Sequence, residues 1–503
     1  MRATPESCVG ARIWWSAILL GLLVFAGRSA LVFHAGSPVP FHDQWIAEAE
    51  HLLVHDAQHT LTWHNFVVPH SDHLHVSTRL IAYTLYRLTG RWDMLAEMLV
   101  NNALIAAAFA WLYFHFRRTA PSIWVGWAAV AFGAWLASPL FYGNALWGFQ
   151  SSIELLVFTA VVQLVAACAL RGFDRHWILA AVAGLIGVVS FGSGGFASVV
   201  AALVCLHRLR EPDAPRRALM AGIIVNLAIC AGGWLVVRRS PSLGQAAFDP
   251  GQVLHTLLHA LSWPAMQPSW FALLLWLPVL LATVIVIRGK AGPWLPAYAL
   301  AVWTVLQIAG VAAIRSAPVP ALPPRYYDFL AVGVVANALL TPGLLAAAGQ
   351  RGFLRFATLL LVLAWAAEVG MKGYAFARSH TIHDVPALRG YAVGQIDLLQ
   401  RYYAGGGRAA LEAAAFPVRP YPESAYLQGL LDQPVIRDAL PAYLKAPSPT
   451  VAPELTTYRW PVDGPRRSTW YALALGVAAA AAVGLMFLTG GRFRLRAQVG
   501  ASR

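Results

Sequence analysis

The chain alternates between long apolar stretches and short polar connections along most of its length. A helix needs about 20 apolar residues to cross a hydrocarbon core of roughly 30 Å. We predict about twelve such spans, at residues 12–34, 92–116, 122–141, 150–170, 176–191, 193–207, 217–237, 269–287, 293–314, 326–347, 353–371 and 468–490. Because backbone polar groups in lipid must find partners within the segment, the expected fold is all-α, a polytopic transmembrane helix bundle.

The polar connections divide the chain into three predicted blocks. Residues 1–371 form a transmembrane body, which includes an external loop at residues 35–91, here called the first loop. An external, periplasmic segment follows at 372–467 and is expected to be α-rich, with a helix at 384–403 where apolar residues recur at helical spacing. Residues 468–503 form a final transmembrane anchor and a basic cytoplasmic tail.

Composition and charge support a membrane protein and give its orientation. Of the 503 residues, 58% are hydrophobic and only 12% are charged, which is typical of membrane proteins. By the positive-inside rule, the predicted connections that are rich in Arg and Lys lie in the cytoplasm. We therefore expect a multi-pass protein of a bacterial inner membrane with both termini cytoplasmic. The basic residues form no continuous stripe, so we expect no nucleic-acid partner despite a net charge of +14.

The first loop is rich in histidine, with nine of the 16 histidines between His34 and His75. Residues 45–59 are predicted to form an amphipathic helix along the membrane surface. Its apolar side contains Trp45, Ala49, Leu52 and Leu53, and its polar side contains Glu48, His51, His55 and His59. The histidine spacing suits either a metal site or a solvated polar face, and the solvated face is favoured because no set of carboxylates or cysteines completes a site.

Asp43 is the most informative polar residue of this loop. It follows the first predicted span directly, where a carboxylate must be hydrated, paired or used. Other polar residues also gather near the outer ends of the predicted spans, namely Arg28, Asp93, Glu97, Gln150, Glu154, Arg315, Arg325, Asp328 and Glu368. This distribution predicts an outward-facing cavity for a polar substrate, and it fits a channel or an alternating-access transporter less well.

Several short motifs carry a resemblance to a known family. They are Pro40-Phe41-His42-Asp43-Gln44-Trp45, Pro69-His70-Ser71-Asp72-His73, Asn144-Ala145-Leu146-Trp147-Gly148-Phe149-Gln150 and Arg325-Tyr326-Tyr327-Asp328. The layout resembles the type C glycosyltransferases, multi-span enzymes that take sugars from polyprenyl-phosphate carriers. The motifs are similar to those of a group of largely uncharacterised bacterial inner-membrane proteins near that superfamily. Related proteins more often have Asn-Glu-His where this chain has Ser71-Asp72-His73.

The resemblance implies roles for individual residues. Asp43 would be catalytic, as a general base on the acceptor hydroxyl or as a ligand of a divalent cation, although the chain has no clear Asp-x-Asp pair. Arg325 would bind the donor phosphate, or else anchor its helix at the interface. Trp147 and Tyr326 would be sugar platforms or interfacial aromatics. The remaining substrate-binding candidates are His42, Asp72, His73 and Gln150.

The expected function is therefore transfer of a hexosyl or pentosyl group from a polyprenyl-phosphate donor to a lipid or cell-envelope acceptor at the outer face. The expected partners are membrane lipid and the lipid-linked donor. One alternative is a transporter or flippase for a lipid-linked or metal substrate, which needs a polar path through the membrane centre. The other is a non-catalytic envelope assembly component that binds a partner through residues 372–467. The oligomeric state is left open.

Overall fold

The structure is a computed structural model, and it describes residues 5–70, 73–119, 123–238, 249–266, 270–289, 292–314, 322–347, 352–445 and 464–490. Helices occupy nearly all of these ranges, and no named β-strand occurs in them. The expected all-α fold is therefore confirmed.

The helices follow the apolar stretches of the sequence. The longer ones are Pro5–Ala35, Val76–Thr89, Met94–Thr119, Ile123–Leu136, Ser151–Ala169, Arg175–Ser190, Gly195–Arg208, Arg216–Val237, Pro250–Leu261, Leu277–Ile287, Leu295–Ile314, Tyr327–Ala347, Gly352–Arg401 and Gly464–Gly490. The shorter ones are Trp45–Val54, His55–Ala57, Trp63–Val67, Pro139–Phe141, Tyr142–Ala145, Gly148–Gln150, Gly192–Gly194, Phe271–Leu275, Gly292–Trp294, Pro324–Tyr326, Tyr402–Gly406, Gly407–Ala413, Ser424–Leu431, Pro434–Ala439 and Ala442–Leu444.

Fewer helices reach spanning length than the sequence predicts. Within the described ranges, eight helices are long and apolar enough to cross a membrane, or nine if the bent pair Val125–Leu136 and Pro139–Ala145 is one span. The predicted spans at 176–191, 193–207 and 269–287 instead contain apolar helices of 10 to 17 residues. A 16-residue helix extends only about 24 Å, which is less than a hydrocarbon core. The chain is thus a membrane helix bundle, without the count of twelve long spans.

One long helix replaces two predicted elements. The span expected at 353–371 and the helix expected at 384–403 belong to one 50-residue helix, Gly352–Arg401. At about 1.5 Å per residue it extends about 75 Å, more than twice the thickness of a hydrocarbon core. Part of this long helix therefore lies outside any single bilayer, and the boundary expected at residue 371 falls within it. The final predicted tail, from residue 491 onward, lies outside the described residues.

Residues 402–445, here called the cap, share a hydrophobic core with the first loop. Trp45 and Leu53 of the first loop pack in this core with Ile396 of the long helix and with Leu427 and Ile436 of the cap. A backbone hydrogen bond from His42 N to Pro420 O at 2.8 Å also joins the first loop to the cap, and another from Trp92 N, just after the loop, reaches Ala439 O at 2.9 Å. The cap is thus folded against the first loop.

Arg28 joins three helices in the interior of the bundle. Its Nη1 lies 3.0 Å from Glu154 Oε1, its Nη2 donates to Asp328 Oδ1, and its Nε donates to Leu136 O at 3.0 Å. The side chains of the three charged residues are at most 1% exposed. They were expected to line an outward-facing cavity, and this expectation is wrong for them. Opposite charges on facing helices satisfy one another here in place of water.

We expect Arg28→Met to reduce stability by about 3–5 kcal/mol, because it leaves Glu154 and Asp328 buried without their cation. The apparent melting temperature of the purified protein in detergent, followed by tryptophan fluorescence, measures this loss. Arg87→Met is the matched control, since Arg87 is 60% exposed in its pair with Asp56 and such pairs stabilise little. Equal melting of the Arg28→Met variant and the wild type would contradict the structural role of the network.

Candidate active site

Asp43 accepts hydrogen bonds from two histidines. Its Oδ1 lies 2.9 Å from His42 Nδ1 and 3.1 Å from His70 Nε2. Burial alone would raise the pKa of Asp43, but the hydrogen bonds from the two histidines lower it well below its usual range. The same hydrogen bond raises the pKa of His42. Asp43 is therefore an ionised carboxylate that holds two imidazole rings.

A short turn in the first loop positions His70. His70 and His73 exchange two backbone hydrogen bonds, at 2.9 and 3.1 Å. The turn is tied to the bundle because His73 Nδ1 accepts a hydrogen bond from Gly192 N at 3.0 Å and its ring stacks on Phe191, with centroids 3.8 Å apart. His73, predicted to bind substrate, thus anchors the loop. The predicted residue Asp72 lies outside the described residues.

Arg79 holds the rest of the first loop in place. This fully buried guanidinium donates hydrogen bonds to the carbonyl oxygens of Ala47 at 3.3 Å, Phe66 at 3.1 Å and Leu74 at 3.0 Å. One side chain therefore connects the beginning, middle and end of the loop. Backbone acceptors bind Nε and Nη1 of this buried cation, while Nη2 has no hydrogen-bond partner within the described residues, and these bonds fix the loop that carries Asp43 and His70.

A pocket of about 360 Å³ lies next to the segment that carries Asp43, although neither His42 nor Asp43 is among its lining residues. Phe41 and Gln44, which flank the His42–Asp43 pair in sequence, line this pocket, as do Trp147, Arg325 and Gln395. Two of the predicted substrate-binding residues, Trp147 and Arg325, are therefore brought together next to the candidate carboxylate.

Aromatic rings from distant parts of the chain surround His42. Its ring centroid lies 6.4 Å from Trp147, 6.1 Å from Phe416 and 6.2 Å from Tyr421. Phe416 also stacks on Phe41 at 5.4 Å, and it is 47% exposed. Phe416 and Tyr421 belong to the cap and were not predicted. Their local sequence gives no sign of this position. They lie near Asp43 because the cap folds against the first loop.

The position of Arg325 is fixed by its backbone. Asn144 Nδ2 donates to Arg325 O at 2.9 Å and to Asp328 Oδ2 at 2.6 Å. A Cβ atom on Gly143 would lie 2.8 Å from Arg325 N, so only glycine permits this close approach. Within the described part of the chain, the Arg325 guanidinium forms no ion pair, and it lies 5.3 Å from the Tyr326 ring. Its charge is therefore available to a ligand in the pocket.

Tyr326 and Gln150 do not line the pocket. Tyr326 is 3% exposed and packs against Phe329, with ring centroids 6.1 Å apart. Gln150 is 4% exposed at the start of the helix that carries Glu154. Both residues were predicted to bind substrate, and the structure places them in the core beneath the candidate site.

The predicted amphipathic helix is partly wrong. Its apolar side is buried as expected, but Glu48, expected on the solvated side, is only 1% exposed. Residues Trp45–Val54 form a π-helix, whose wider turn changes which side chains share a face. Glu48 accepts hydrogen bonds from Trp92 Nε1 at 2.8 Å and Gln44 Nε2 at 3.3 Å. Burial raises the pKa of Glu48 to about 7.

Gln44 connects this buried carboxylate to the pocket. Its Nε2 also donates to Glu97 Oε2 at 2.9 Å, so one amide serves two carboxylates. Gly148 packs directly on this group, since a Cβ atom there would lie 2.5 Å from Glu97 Oε2. Glu97, predicted to belong to a ring of polar residues around the substrate cavity, instead lies behind the pocket wall.

The described side chains do not fit a metal site. Among them, no group of three or more His, Cys, Asp and Glu residues is arranged to hold a metal ion. The two histidines on Asp43 point their bonded nitrogens at the carboxylate, so they act as donors and leave no lone pair there for a cation. The divalent cation considered from the sequence therefore has no ligand set in this part of the chain.

No protein-family model matches the chain, and no curated protein gives a significant match. The resemblance to type C glycosyltransferases thus stays a prediction from short motifs and layout.

We expect Glu48→Gln to stabilise the protein increasingly as the pH rises from 5 to 7. The unfolded carboxyl ionises near its ordinary pKa of 4.5, whereas the folded one stays protonated up to about pH 7. The unfolded state therefore binds fewer protons over this interval, and wild-type stability falls as the pH rises. Above pH 7 both states are ionised and the difference becomes constant.

Melting temperatures of both proteins between pH 5 and 8 measure this effect. Glu412→Gln is the control, because Glu412 is 52% exposed in a surface pair with Arg408. If the difference in melting temperature between Glu48→Gln and the wild type does not change with pH, Glu48 is ionised throughout this pH range.

Proposed function

We propose that the protein is an integral glycosyltransferase of the bacterial inner membrane. It transfers a hexosyl or pentosyl group from a polyprenyl-phosphate donor to a lipid or cell-envelope acceptor at the outer face. The observation that carries this proposal is a pocket lined by the Trp147 ring and by Arg325, which has no ion pair within the described residues. The His42–Asp43 pair lies beside this pocket, with the His42 ring 6.4 Å from that of Trp147. A cation can stabilise a phosphate leaving group, an aromatic ring can bind the face of a sugar, and a proton-accepting pair can activate an acceptor hydroxyl.

The pocket lining suits a lipid-linked sugar phosphate. Arg325 can bind a phosphate through two parallel hydrogen bonds. Much of the remaining wall is apolar and comes from several helices, with Val39, Met98, Leu388 and Ala392 among the lining residues. Such a surface suits a prenyl chain, while Trp147 offers a flat face for the sugar.

The proposed reaction is a single displacement at the anomeric carbon. The acceptor oxygen forms a bond to that carbon, and the bond from the carbon to the phosphate oxygen breaks. The electron pair leaves with the polyprenyl phosphate, whose charge Arg325 compensates. The acceptor proton passes to the His42–Asp43 pair, in which the nearby carboxylate stabilises the resulting positive charge.

The topology belongs to the same proposal. With both termini cytoplasmic, the first loop and the cap lie on the periplasmic side, together with Asp43. The distribution of Arg and Lys supports this orientation. The count of twelve spans requires the short apolar helices Arg175–Ser190, Gly192–Arg208 and Leu277–Ile287 to enter the bilayer as well.

A transporter fits the interior less well. Gln163 Nε2 donates to Ser198 Oγ at 2.9 Å and to Asn226 Oδ1 at 2.7 Å, so these buried polar groups satisfy one another. Arg28 is likewise enclosed by its two carboxylates. Transport would require polar groups left open to a passing substrate. The Gln163 amide nitrogen and the Arg28 guanidinium are paired, whereas Glu154 Oε2 and the Asn102 side chain have no hydrogen-bond partner within the described residues, so the pocket is the main ground for preferring an enzyme.

We expect Asp43→Asn to reduce sugar transfer by at least about 100-fold, because the variant cannot stabilise the protonated imidazole. Membranes containing the protein are supplied separately with labelled undecaprenyl-phosphate glucose, mannose and arabinose, and label in the lipid and glycan fractions is measured. Asp56→Asn is the matched control, since Asp56 lies in the same loop and pairs with Arg87 and Tyr83. It should transfer as the wild type does.

Two results would overturn the proposal. One is full activity of the Asp43→Asn variant at wild-type protein levels. The other is the absence of transfer from all three donors together with identical envelope glycans in cells with and without the protein. Substrate movement without covalent change would identify a transporter instead.

We expect Arg325→Gln to raise the KM for the donor by about 10–100-fold, which corresponds to the loss of charge-assisted hydrogen bonds to phosphate. The donor KM of Arg325→Lys should lie between those of the wild type and Arg325→Gln, because lysine keeps the positive charge but lacks the planar guanidinium that forms two parallel hydrogen bonds. Arg437→Gln, an exposed arginine of the cap, is the control. An unchanged KM in Arg325→Gln would show that the donor phosphate binds elsewhere.

A further inference from the structure

The backbone at His42 is unusual. Its φ of +52° lies in the left-handed region, which a residue with a side chain seldom adopts. Two hydrogen bonds hold it there, from His42 N to Pro420 O of the cap at 2.8 Å and from Trp45 N to His42 O at 3.1 Å. Residues in this conformation persist where the surrounding structure holds them, and such positions are enriched at functional sites; His59, His75 and Met266 share it here.

The His42 ring is bonded at one nitrogen and open at the other. Nδ1 lies 2.9 Å from Asp43 Oδ1 and must carry the proton, since a carboxylate only accepts. The neutral ring then has its lone pair on Nε2, which forms no hydrogen bond within the described part of the chain. The His42 side chain is 41% exposed, against 26% for Asp43 and 12% for His70.

Asp43 is less suited to receive a proton directly. Its Oδ1 already accepts hydrogen bonds from both histidines. Its Oδ2 accepts no hydrogen bond within the described part of the chain, so the preference for the imidazole has two other grounds. The His42 side chain is more exposed than that of Asp43, and the pKa of Asp43 lies well below its usual range, which makes this carboxylate a weak base. Histidine acts as a general base when a carboxylate holds one ring nitrogen and the second ring nitrogen is free, and this is the arrangement at His42.

We propose that His42 Nε2 takes the proton from the acceptor hydroxyl and that Asp43 is a positioning residue that holds the ring. This inference rests on the proposed glycosyl transfer and assigns its proton step to an atom. As the acceptor oxygen bonds to the anomeric carbon, its proton moves to Nε2 and the ring becomes an imidazolium. The electron pair of the broken bond leaves with the phosphate, and the imidazolium later releases its proton to water.

The charges around His42 favour this role near neutral pH. Asp43 and Arg325 act on it with opposite signs, because the hydrogen-bonded carboxylate raises the pKa of His42 while burial and the guanidinium lower it. Three other titratable groups in the described part of the chain face the site. His70 is hydrogen-bonded to Asp43, and Tyr421 and Glu423 belong to the cap. A base whose pKa lies near the working pH transfers protons most effectively, and the ionised Asp43 is far below that range.

The test compares pH profiles of transfer by the full-length protein in membranes, with whichever of the three undecaprenyl-phosphate sugars is used. In the wild type, kcat should fall on the acid side as His42 becomes protonated. His42→Gln should lower kcat by about 10²–10⁴-fold with little change in donor KM, and the acid limb should disappear. In Asp43→Asn, the acid limb of the residual rate should move about 1 pH unit lower, because His42 has lost its anionic partner.

His64→Gln is the matched control, since His64 is exposed in the same loop and has no contact with Asp43. It should retain the wild-type profile. If His42→Gln keeps the wild-type kcat and acid limb while Asp43→Asn is inactive, Asp43 itself accepts the proton. That result overturns the inference and leaves the transferase proposal standing. A wild type that transfers no sugar overturns both.

A second measurement does not depend on activity. Diethyl pyrocarbonate reacts with neutral imidazole, so the pH at which half of His42 reacts, followed by mass spectrometry of its peptide, reports its protonation. The midpoint should be higher in the wild type than in Asp43→Asn. Equal midpoints would show that Asp43 does not hold the ring, whatever the transfer assay gives.

Discussion

A guanidinium stays charged even when it is removed from water, so its burial is tolerated only where anions and acceptors surround it, and Arg28 imposes this constraint on the helices around it. It lies between Glu154 and Asp328 and so fixes three helices relative to one another. The second oxygen of Asp328 accepts from Asn144, which also holds the backbone of Arg325. The network that closes the interior therefore also sets the position of the cation in the candidate site.

The site itself is assembled from parts that are distant in sequence. His42 belongs to the first loop, Trp147 to a bent segment, Arg325 to the start of a helix and Phe416 to the cap. Each part has its own support, and the hydrogen bond from His42 N to Pro420 O links the first loop directly to the cap. Loss of the cap would thus remove both an aromatic wall and a restraint on the His42 backbone.

The sequence was sufficient to locate the apolar helices and to place Asp43 just after the first of them, because apolar length and the position of a charge along the chain are properties of local sequence. It overcounted the helices of spanning length and divided one long helix into two elements. It was not sufficient to assign partners. Arg28 and Asp328 were expected to face a cavity, since depth can be read from sequence while rotation about a helix axis cannot. Glu48 was misplaced because a π-helix has a different repeat, and Phe416 because its place depends on tertiary folding alone.

Arg28 and Arg325 show why partners matter more than depth. Both were predicted near the outer ends of spans, yet Arg28 is enclosed by carboxylates whereas Arg325 lines a pocket and has no ion pair within the described residues. A charged side chain that is fully paired within the protein stabilises the fold, whereas a charged side chain without an ion pair can bind a ligand. The same distinction applies within one histidine. His42 is closed at Nδ1, where Asp43 fixes the ring, and open at Nε2, where chemistry can occur.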